Sequence, residues 1–182
     1  MIARLLRALA GGRCAACCAA LAAPGLCEPC RAALAPRENG YCPRCARLND
    51  DAPHAPPEVC PACRDASPAW DAVGFYGAYE GLLRTLILRW KFGRTLTGAR
   101  ILADLAVQAW RDHAARPDGL DPDGPDLVLA VPMHRRGLLR RGFNQSLELA
   151  RGLGAVLGAP VDAHALTRVR RTASQRGLDA KA

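Results

Sequence analysis

Apolar residues recur at helical spacing in three stretches of the chain after residue 80. Residues 82–92 predict a short helix, residues 97–115 a longer one, and residues 146–157 a third. Gly158 and Pro160 follow the third stretch and are typical of a helix end. One face of the longest stretch is apolar and consists of Ile101, Leu102, Leu105, Ala109 and Trp110. Packing of this face into the core is sufficient to explain it.

Other stretches have the patterns of strands. Residues 126–131 form a compact apolar run, typical of a strand buried on both faces of a parallel sheet, and residues 161–166 predict a second strand. With the helix at residues 146–157 between them, they predict a β-α-β unit. Residues 70–79, rich in aromatic and small residues, predict a further strand or hairpin arm. We therefore expect an α/β fold for this part of the chain.

All nine cysteines lie within the first 63 residues, and eight of them form four Cys-x-x-Cys pairs. This spacing lets two thiolates from one tight turn reach a tetrahedral metal ion. The simplest arrangement is sequential, with two pairs around one ion and two around a second, but an interleaved arrangement has the same spacing and stays open. The pairs are Cys14 with Cys17, Cys27 with Cys30, Cys42 with Cys45, and Cys60 with Cys63.

Four such pairs favour two structural zinc ions over iron–sulfur, redox or disulfide chemistry. We recognise no signal peptide, which disfavours disulfides, and no thioredoxin-like strand and helix around the pairs, which disfavours a redox site. Four cysteines close the coordination sphere, so we expect a scaffold rather than a catalytic metal. Cys18 is left over and is expected to be a spare thiol, although it could replace Cys17. His54 lies in a proline-rich loop and is expected to be solvated.

The composition predicts a soluble, cytoplasmic protein without a membrane span. Half of the residues are apolar, enough for a core, but no apolar run reaches the roughly 18 residues of a membrane-spanning helix. The first ten residues have helical spacing, yet Arg4 and Arg7 interrupt any signal-peptide core. We expect a short helix there that packs on the next domain.

The positive charge is concentrated late in the chain. The formal charge of +8 comes from 23 arginines and only two lysines, a bias that fits GC-rich codon usage. Residues 131–176 hold nine arginines and two carboxylates, a net charge of +7. Residues 133–145 directly follow the first predicted strand, where open α/β sheets bind ligands, and arginines there can bind phosphate with two hydrogen bonds. A solvated basic face is the alternative.

Three segments, together with the cysteine pairs, resemble the competence protein F family of phosphoribosyltransferase-like proteins. They are Leu-Leu-Arg-Thr-Leu-Ile-Leu-Arg-Trp-Lys-Phe-Gly at residues 82–93, Val-Pro-Met-His-Arg-Arg-Gly-Leu-Leu-Arg-Arg-Gly-Phe-Asn-Gln at residues 131–145, and Leu-Thr-Arg-Val-Arg-Arg-Thr-Ala-Ser-Gln at residues 166–175. The resemblance covers nearly the whole chain. Its most specific part is Arg-Arg-Gly-Phe-Asn-Gln at residues 140–145.

The resemblance implies a double zinc-ribbon-like domain at residues 1–66 and a type I phosphoribosyltransferase-like domain, with an incomplete parallel sheet and helices, at residues 67–182. Residues 131–136 would match the loop that holds pyrophosphate in such folds, and residues 168–175 a mobile loop over the site. The implied phosphate- and pyrophosphate-binding residues are Val131, Pro132, Met133, Arg135, Arg136, Arg140, Arg141, Asn144, Gln145, Arg168, Arg170 and Gln175.

One part of the family pattern does not occur in these 182 residues. Type I phosphoribosyltransferase folds carry a further strand that ends in an acidic pair and a Thr-Thr-Gly turn, which cradles the ribose phosphate of phosphoribosyl pyrophosphate. We therefore expect a truncated domain in which phosphoribosyl pyrophosphate and Mg²⁺ are not held and phosphoribosyl transfer does not occur. Hydrophobic sheet edges would then be left uncovered.

Two functions follow from these observations. The resemblance implies a phosphoribosyltransferase-like protein of DNA uptake, with single-stranded DNA and DNA-uptake proteins as partners. The alternative is a non-enzymatic zinc module that binds single-stranded nucleic acid or a protein partner through its arginine-rich segment.

Overall fold

The computed structural model describes residues 12–93, 96–116 and 124–170, apart from the side chains of Leu96 and Arg140. The helix expected within the first ten residues lies outside these ranges. The elements in chain order are β1 (Gly12–Arg13), β2 (Ala20–Leu21), α1 (Glu28–Ala32), α2 (Pro61–Asp65), α3 (Gly81–Gly93), α4 (Leu96–Ala114), β3 (Val128–Leu129), α5 (Arg135–Arg141), α6 (Gln145–Leu157) and β4 (Val161–Asp162).

The three helices predicted from the apolar periodicity are confirmed as α3, α4 and α6, within a residue or two at each end. Helix α4 packs against both α3 and α6. Because it has neighbours on two sides, α4 also buries Ala103 and Val107, which lie outside the predicted apolar face. Gly152 on α6 permits the close approach of α4, since a Cβ atom there would lie 2.5 Å from the Cβ of Ala103.

The predicted β-α-β order is present in a reduced form. Strands β3 and β4 pair in parallel, with Val128 opposite Val161 and Leu129 opposite Asp162, and α6 packs against both. Each strand has two residues instead of the predicted six. Among the described residues the larger sheet of a phosphoribosyltransferase-like fold is not present.

The expectation that the first of these strands is buried on both faces is wrong. Ala130 is only 7% exposed, whereas Leu129 is 43% and Val131 70% exposed. Successive side chains of an extended segment point to opposite faces, and α6 packs on one of them. The opposite face of β3 therefore presents apolar side chains to solvent.

Residues 70–79 do not form the predicted strand or hairpin arm. Their backbone hydrogen bonds do not join one neighbouring strand. They go instead to separate residues of the cysteine-rich part, by which we mean residues 12–66. The amide of Val73 donates to the carbonyl of Pro43 at 3.2 Å, and the carbonyl of Tyr76 accepts from the amide of Arg37 at 2.7 Å. These two hydrogen bonds fasten the segment to the cysteine-rich part.

Short elements make up the cysteine-rich part. Strands β1 and β2 form an antiparallel hairpin, and α1 and α2 have five residues each. Within the described ranges, none of the helices combines the length and apolar character that crossing a bilayer requires.

Candidate metal sites and the arginine edge

The eight paired cysteines come together as two groups of four. In each group the four sulfur atoms all lie within 4.8 Å of one another. These are the groups that the sequential arrangement predicts, whereas an interleaved arrangement would have mixed them. The first cysteine site consists of Cys14, Cys17, Cys27 and Cys30, and the second cysteine site of Cys42, Cys45, Cys60 and Cys63.

The first pair of each site lies in the same kind of tight turn. The amide of Cys18 donates to the carbonyl of Cys14 at 3.0 Å, and the amide of Ala46 donates to the carbonyl of Cys42 at 2.8 Å. The residue after each pair has a left-handed backbone, with φ of 65° at Cys18 and 60° at Ala46. This conformation reverses the chain so that both thiols of the pair face the same point.

The second pair of each site lies at the start of a short helix. Cys27 is the N-cap residue of α1 and Cys60 that of α2. Each helix has one proline, at its first or second position. Proline suits these positions because its fixed φ matches a helix and its missing N–H has no partner there to lose. The helical turn then brings Cys30 and Cys63 beside their partners.

Backbone amides point at the most buried sulfur atom of each site. The amide of Cys27 donates to Sγ of Cys14, and the amide of Cys60 donates to Sγ of Cys42, both at 3.4 Å. Burial raises the pKa of these two thiols, but hydrogen bonds from backbone amides outweigh it and lower the pKa of each to about 6. One thiolate per site is therefore present at neutral pH before any metal binds.

The thiols of Cys30 and Cys63 stay protonated more readily. The neighbouring thiol of Cys27 raises the pKa of Cys30 to about 12, and burial raises the pKa of Cys63 to about 12. Thiols placed this close cannot all ionise without a cation to offset their charges. Metal binding would supply that cation and release their protons.

Both sites fit a tetrahedral zinc ion. Zinc–sulfur bonds of about 2.3 Å place the sulfur atoms of a tetrahedron about 3.8 Å apart. The sulfur atoms of Cys17 and Cys27 are 3.6 Å apart, and those of Cys45 and Cys60 are 3.8 Å apart. All nine cysteines are free of disulfide bonds. Each site could therefore hold one zinc ion, and four sulfur ligands leave no open position for a substrate.

Cys18 and His54 belong to neither group. The Cys18 thiol is exposed and accepts a hydrogen bond from the guanidinium of Arg89 on α3 at 3.0 Å. The side chain of His54 is exposed. Cys18 thus has a contact outside the metal sites that its position in the sequence does not signal.

The second candidate region, which we call the arginine edge, consists of residues 131–145 and 163–170. Because β3 and β4 are parallel, the segments that follow them leave the sheet at the same end. The start of α6 fixes the first segment: Asn144 Nδ2 donates to the carbonyl of Val131 at 3.1 Å, and Ser146 Oγ accepts from the amide of Val131 at 2.8 Å. Asn144 Oδ1 also accepts from the amide of Ser146, so Asn144 caps α6.

The expected phosphate-binding residues differ in exposure. The side chains of Arg135, Arg136 and Arg170 are exposed, and these arginines form no ion pair with any residue in the described ranges. Arg168 is also exposed, while Pro132 and Met133 are half-buried. The side chain of Arg140 and the whole of Gln175 lie outside the described part of the chain.

Further hydrogen bonds join residues within the arginine edge. Arg141 donates to Oε1 of Gln145 at 3.3 Å, and Gln145 is buried. His134 caps α5, since its Nδ1 accepts from the amide of Arg136 at 3.3 Å. This contact gives His134 a structural role at the start of α5.

One contact between aromatic rings is not signalled by the sequence. Trp90 on α3 lies 6.0 Å from Phe143, measured between ring centroids, with an angle of 46° between the rings. The helical spacing of Leu86 and Trp90 does signal a buried face of α3. Nothing in the sequence pairs that face with Phe143.

Relatives among curated proteins match most of the chain. DNA utilization protein YhgH of Salmonella typhimurium is 36% identical over 171 residues, which cover 88% of this chain and 74% of the relative. YhgH of Escherichia coli (strain K12) is 34% identical over 171 residues with the same coverage. Competence protein F of Haemophilus influenzae is 34% identical over 164 residues, 85% of this chain and 70% of the relative. No protein-family model matches the chain, and no solved structure matches it significantly.

Proposed function

This chain belongs to the family of DNA utilization protein YhgH and competence protein F, and we propose on that premise that it is a zinc protein of DNA utilization whose arginine edge binds phosphate groups. The membership confirms the resemblance drawn from the sequence. The names of the relatives point to DNA utilization and competence, and we carry that role to this chain as part of the proposal.

Two structural zinc ions are the first part of the proposal. The observation that carries it is the convergence of four sulfur atoms within 4.8 Å in each cysteine site. Zinc would supply no chemistry to a substrate there, because four thiolates complete its coordination. Its contribution is the folding free energy of a part of the chain built from short elements.

Phosphate binding at the arginine edge is the second part. It is supported by the parallel pairing of β3 and β4, which places residues 131–136 and 163–170 at one end of the sheet. Open α/β sheets bind ligands at that end. The exposed guanidinium groups of Arg135, Arg136 and Arg170 provide hydrogen-bond donors suited to pyrophosphate oxygens.

We assign this arrangement to a phosphoribosyltransferase-like domain at residues 67–182 behind a zinc domain at residues 1–66. The order of β3, α6 and β4 supports that ancestry. Phosphoribosyl transfer itself is not expected of these 182 residues, since they contain no Thr-Thr-Gly turn for the ribose phosphate. The expected activity is anion binding without turnover.

The second candidate function is binding of single-stranded DNA by the same edge. The exposed arginines and the names of the relatives favour it. Trp90 is only 3% exposed, so it is not available to stack on a base. Such binding would depend on contacts to backbone phosphates and weaken steeply as salt is raised.

Calorimetry on the zinc-loaded chain tests the proposal. Pyrophosphate, phosphoribosyl pyrophosphate with Mg²⁺, and an oligo(dT) strand are titrated into wild type and into an Arg135→Ala, Arg136→Ala double variant. The matched control removes two exposed arginines of α4, by Arg100→Ala and Arg111→Ala. We expect the edge variant to lose about tenfold or more in pyrophosphate affinity and the control to keep it.

The other outcomes divide the candidates. Binding of oligo(dT) without binding of pyrophosphate would favour the nucleic-acid function. Absence of both at low salt would show that the arginine edge is a solvated basic face. Turnover of phosphoribosyl pyrophosphate would overturn the expectation of binding without transfer.

A further inference from the structure

The first cysteine site is part of the main apolar core of the molecule. The buried members of that core are Cys14, Ala16, Leu86, Trp90 and Leu102. Cys27 and Cys30 pack against the same cluster. The guanidinium of Arg89 adds a polar contact from α3, to the carbonyl of Ala15 at 3.4 Å. Three of the four ligands of this site therefore share neighbours with α3 and α4.

The second cysteine site lies outside that cluster. Cys42 is as buried as Cys14, at 2% exposed, but neither Cys42 nor Cys63 belongs to the core cluster. Beside it, Tyr41 packs edge-on against Phe75, with ring centroids 4.9 Å apart. The two sites, each with four cysteine ligands, thus have different surroundings.

The core around the first site extends to the arginine edge through one aromatic contact. Phe143, which touches Trp90, lies between Gly142, the left-handed end of α5, and Asn144, the cap of α6. Asn144 holds the carbonyl of Val131 at the end of β3. Phe143 therefore joins the core to the point where α5, α6 and β3 meet.

We propose that zinc at the first cysteine site, and not zinc at the second, holds the arginine edge in its binding geometry, with Phe143 as the positioning residue. Loss of metal from the first site releases the segment that carries Cys14 and opens the packing around Leu86 and Trp90. Phe143 then loses the surface it packs on, and the backbone at Asn144 and Val131 loosens. The anion-binding part of this inference rests on the proposed function.

The first experiment compares Cys14→Ser with Cys42→Ser in the zinc-loaded full chain. The two cysteines are matched in burial and in their place at the start of a turn. Hydrogen exchange is measured at residues 81–93 and 141–147. We expect faster exchange in both segments for Cys14→Ser and unchanged exchange for Cys42→Ser.

Tryptophan signals separate the two sites in the same samples. Trp90 lies in the core of the first site, whereas the indole of Trp70 donates to the carbonyl of Arg44 in the second site at 2.8 Å. With fluorotryptophan incorporated, the ¹⁹F signal of Trp90 should move in Cys14→Ser, and that of Trp70 in Cys42→Ser. This readout does not require any ligand.

Phe143 variants test the contact while both metal sites stay intact. Phe143→Ala should keep two zinc ions, move the Trp90 signal and lower pyrophosphate affinity by about tenfold. Phe143→Tyr, which keeps the ring, should restore the affinity. These variants keep the inference testable if Cys14→Ser does not fold.

The inference and the proposed function fail in different ways. If wild type binds no pyrophosphate, the proposed function is wrong, and the exchange and ¹⁹F data still decide the structural link. If wild type binds it and Phe143→Ala binds it equally well, the inference is wrong. Equal effects of Cys14→Ser and Cys42→Ser on residues 141–147 would also overturn it.

Discussion

The two cysteine sites and the arginine edge represent two ways of building a site. Each cysteine site draws its ligands from one short stretch, residues 14–30 or 42–63, and surrounds them with amides of the same stretch. The arginine edge joins residues 131–145 to residues 163–170 through two strands of two residues each. One geometry comes from local turns, the other from packing between distant segments.

This difference appears in what each region leaves exposed. In the second cysteine site, Cys42 and Cys63 are buried. At the arginine edge, Val131, Leu139 and Val169 are all at least 70% exposed. A metal site saturates its own ligands, whereas the arginine edge leaves these apolar side chains exposed. We therefore expect the cysteine sites to withstand changes elsewhere better than the arginine edge does.

The largest expected effect is that of zinc removal. Structural zinc ions provide about 10–16 kcal/mol in zinc-finger peptides, which is comparable with the about 5–15 kcal/mol of a whole domain. Chelation at neutral pH under reducing conditions should therefore unfold residues 12–66, as measured by hydrogen exchange, and added zinc should restore protection. Full protection of residues 12–66 in the metal-free chain would show that the folding of this part does not depend on a metal.

Substitutions at two neighbouring residues compare the covered face of the β3 segment with its open face. Ala130→Asp would bury a charge against α6 and should lower the free energy of unfolding by about 3 kcal/mol or more. Leu129→Lys places a cation on the open face beside Asp162 and should change it by no more than about 0.5 kcal/mol. Urea unfolding measures both. A large loss in Leu129→Lys would mean that the open face is covered in solution.

A smaller effect concerns protons released by zinc. In each metal-free site one thiol, Cys14 or Cys42, has its pKa lowered to about 6, and at least two others have theirs raised. At about pH 7.5 the thiol of low pKa is already ionised, so zinc uptake should release fewer than four protons per ion. Below about pH 6 that thiol is protonated too, and the number should rise while affinity falls.

Calorimetry of zinc binding in buffers of different ionisation enthalpy measures the number of protons released per zinc ion. Because Cys14→Ser and Cys42→Ser each leave one intact four-cysteine site, the two variants report the protons released at the second and at the first site separately. Release of four protons at about pH 7.5 would mean that backbone amides do not stabilise a thiolate before metal binds.

The sequence predicts the local features of this molecule well. Cys-x-x-Cys spacing places the thiols, and helical periodicity finds α3, α4 and α6, because both depend on residues a few positions apart.

Features that depend on distant residues are predicted poorly. The apolar run at residues 126–131 gives no sign that only one face of β3 is covered. Residues 70–79 resemble a strand, although Val73 and Tyr76 make their backbone hydrogen bonds with the cysteine-rich part. The contact between Trp90 and Phe143 spans 53 positions and leaves no pattern in the sequence. Hydrophobicity reports that a residue is buried and not what buries it.

Metal content measured by mass spectrometry on folded, reduced protein prepared without chelator tests the central claim most directly. We expect two zinc ions per chain, one after Cys14→Ser or Cys42→Ser, and still two after Cys18→Ser, since Cys18 belongs to neither group. One ion or fewer in the folded wild type, or loss of an ion in Cys18→Ser, would contradict the assignment of two four-cysteine zinc sites.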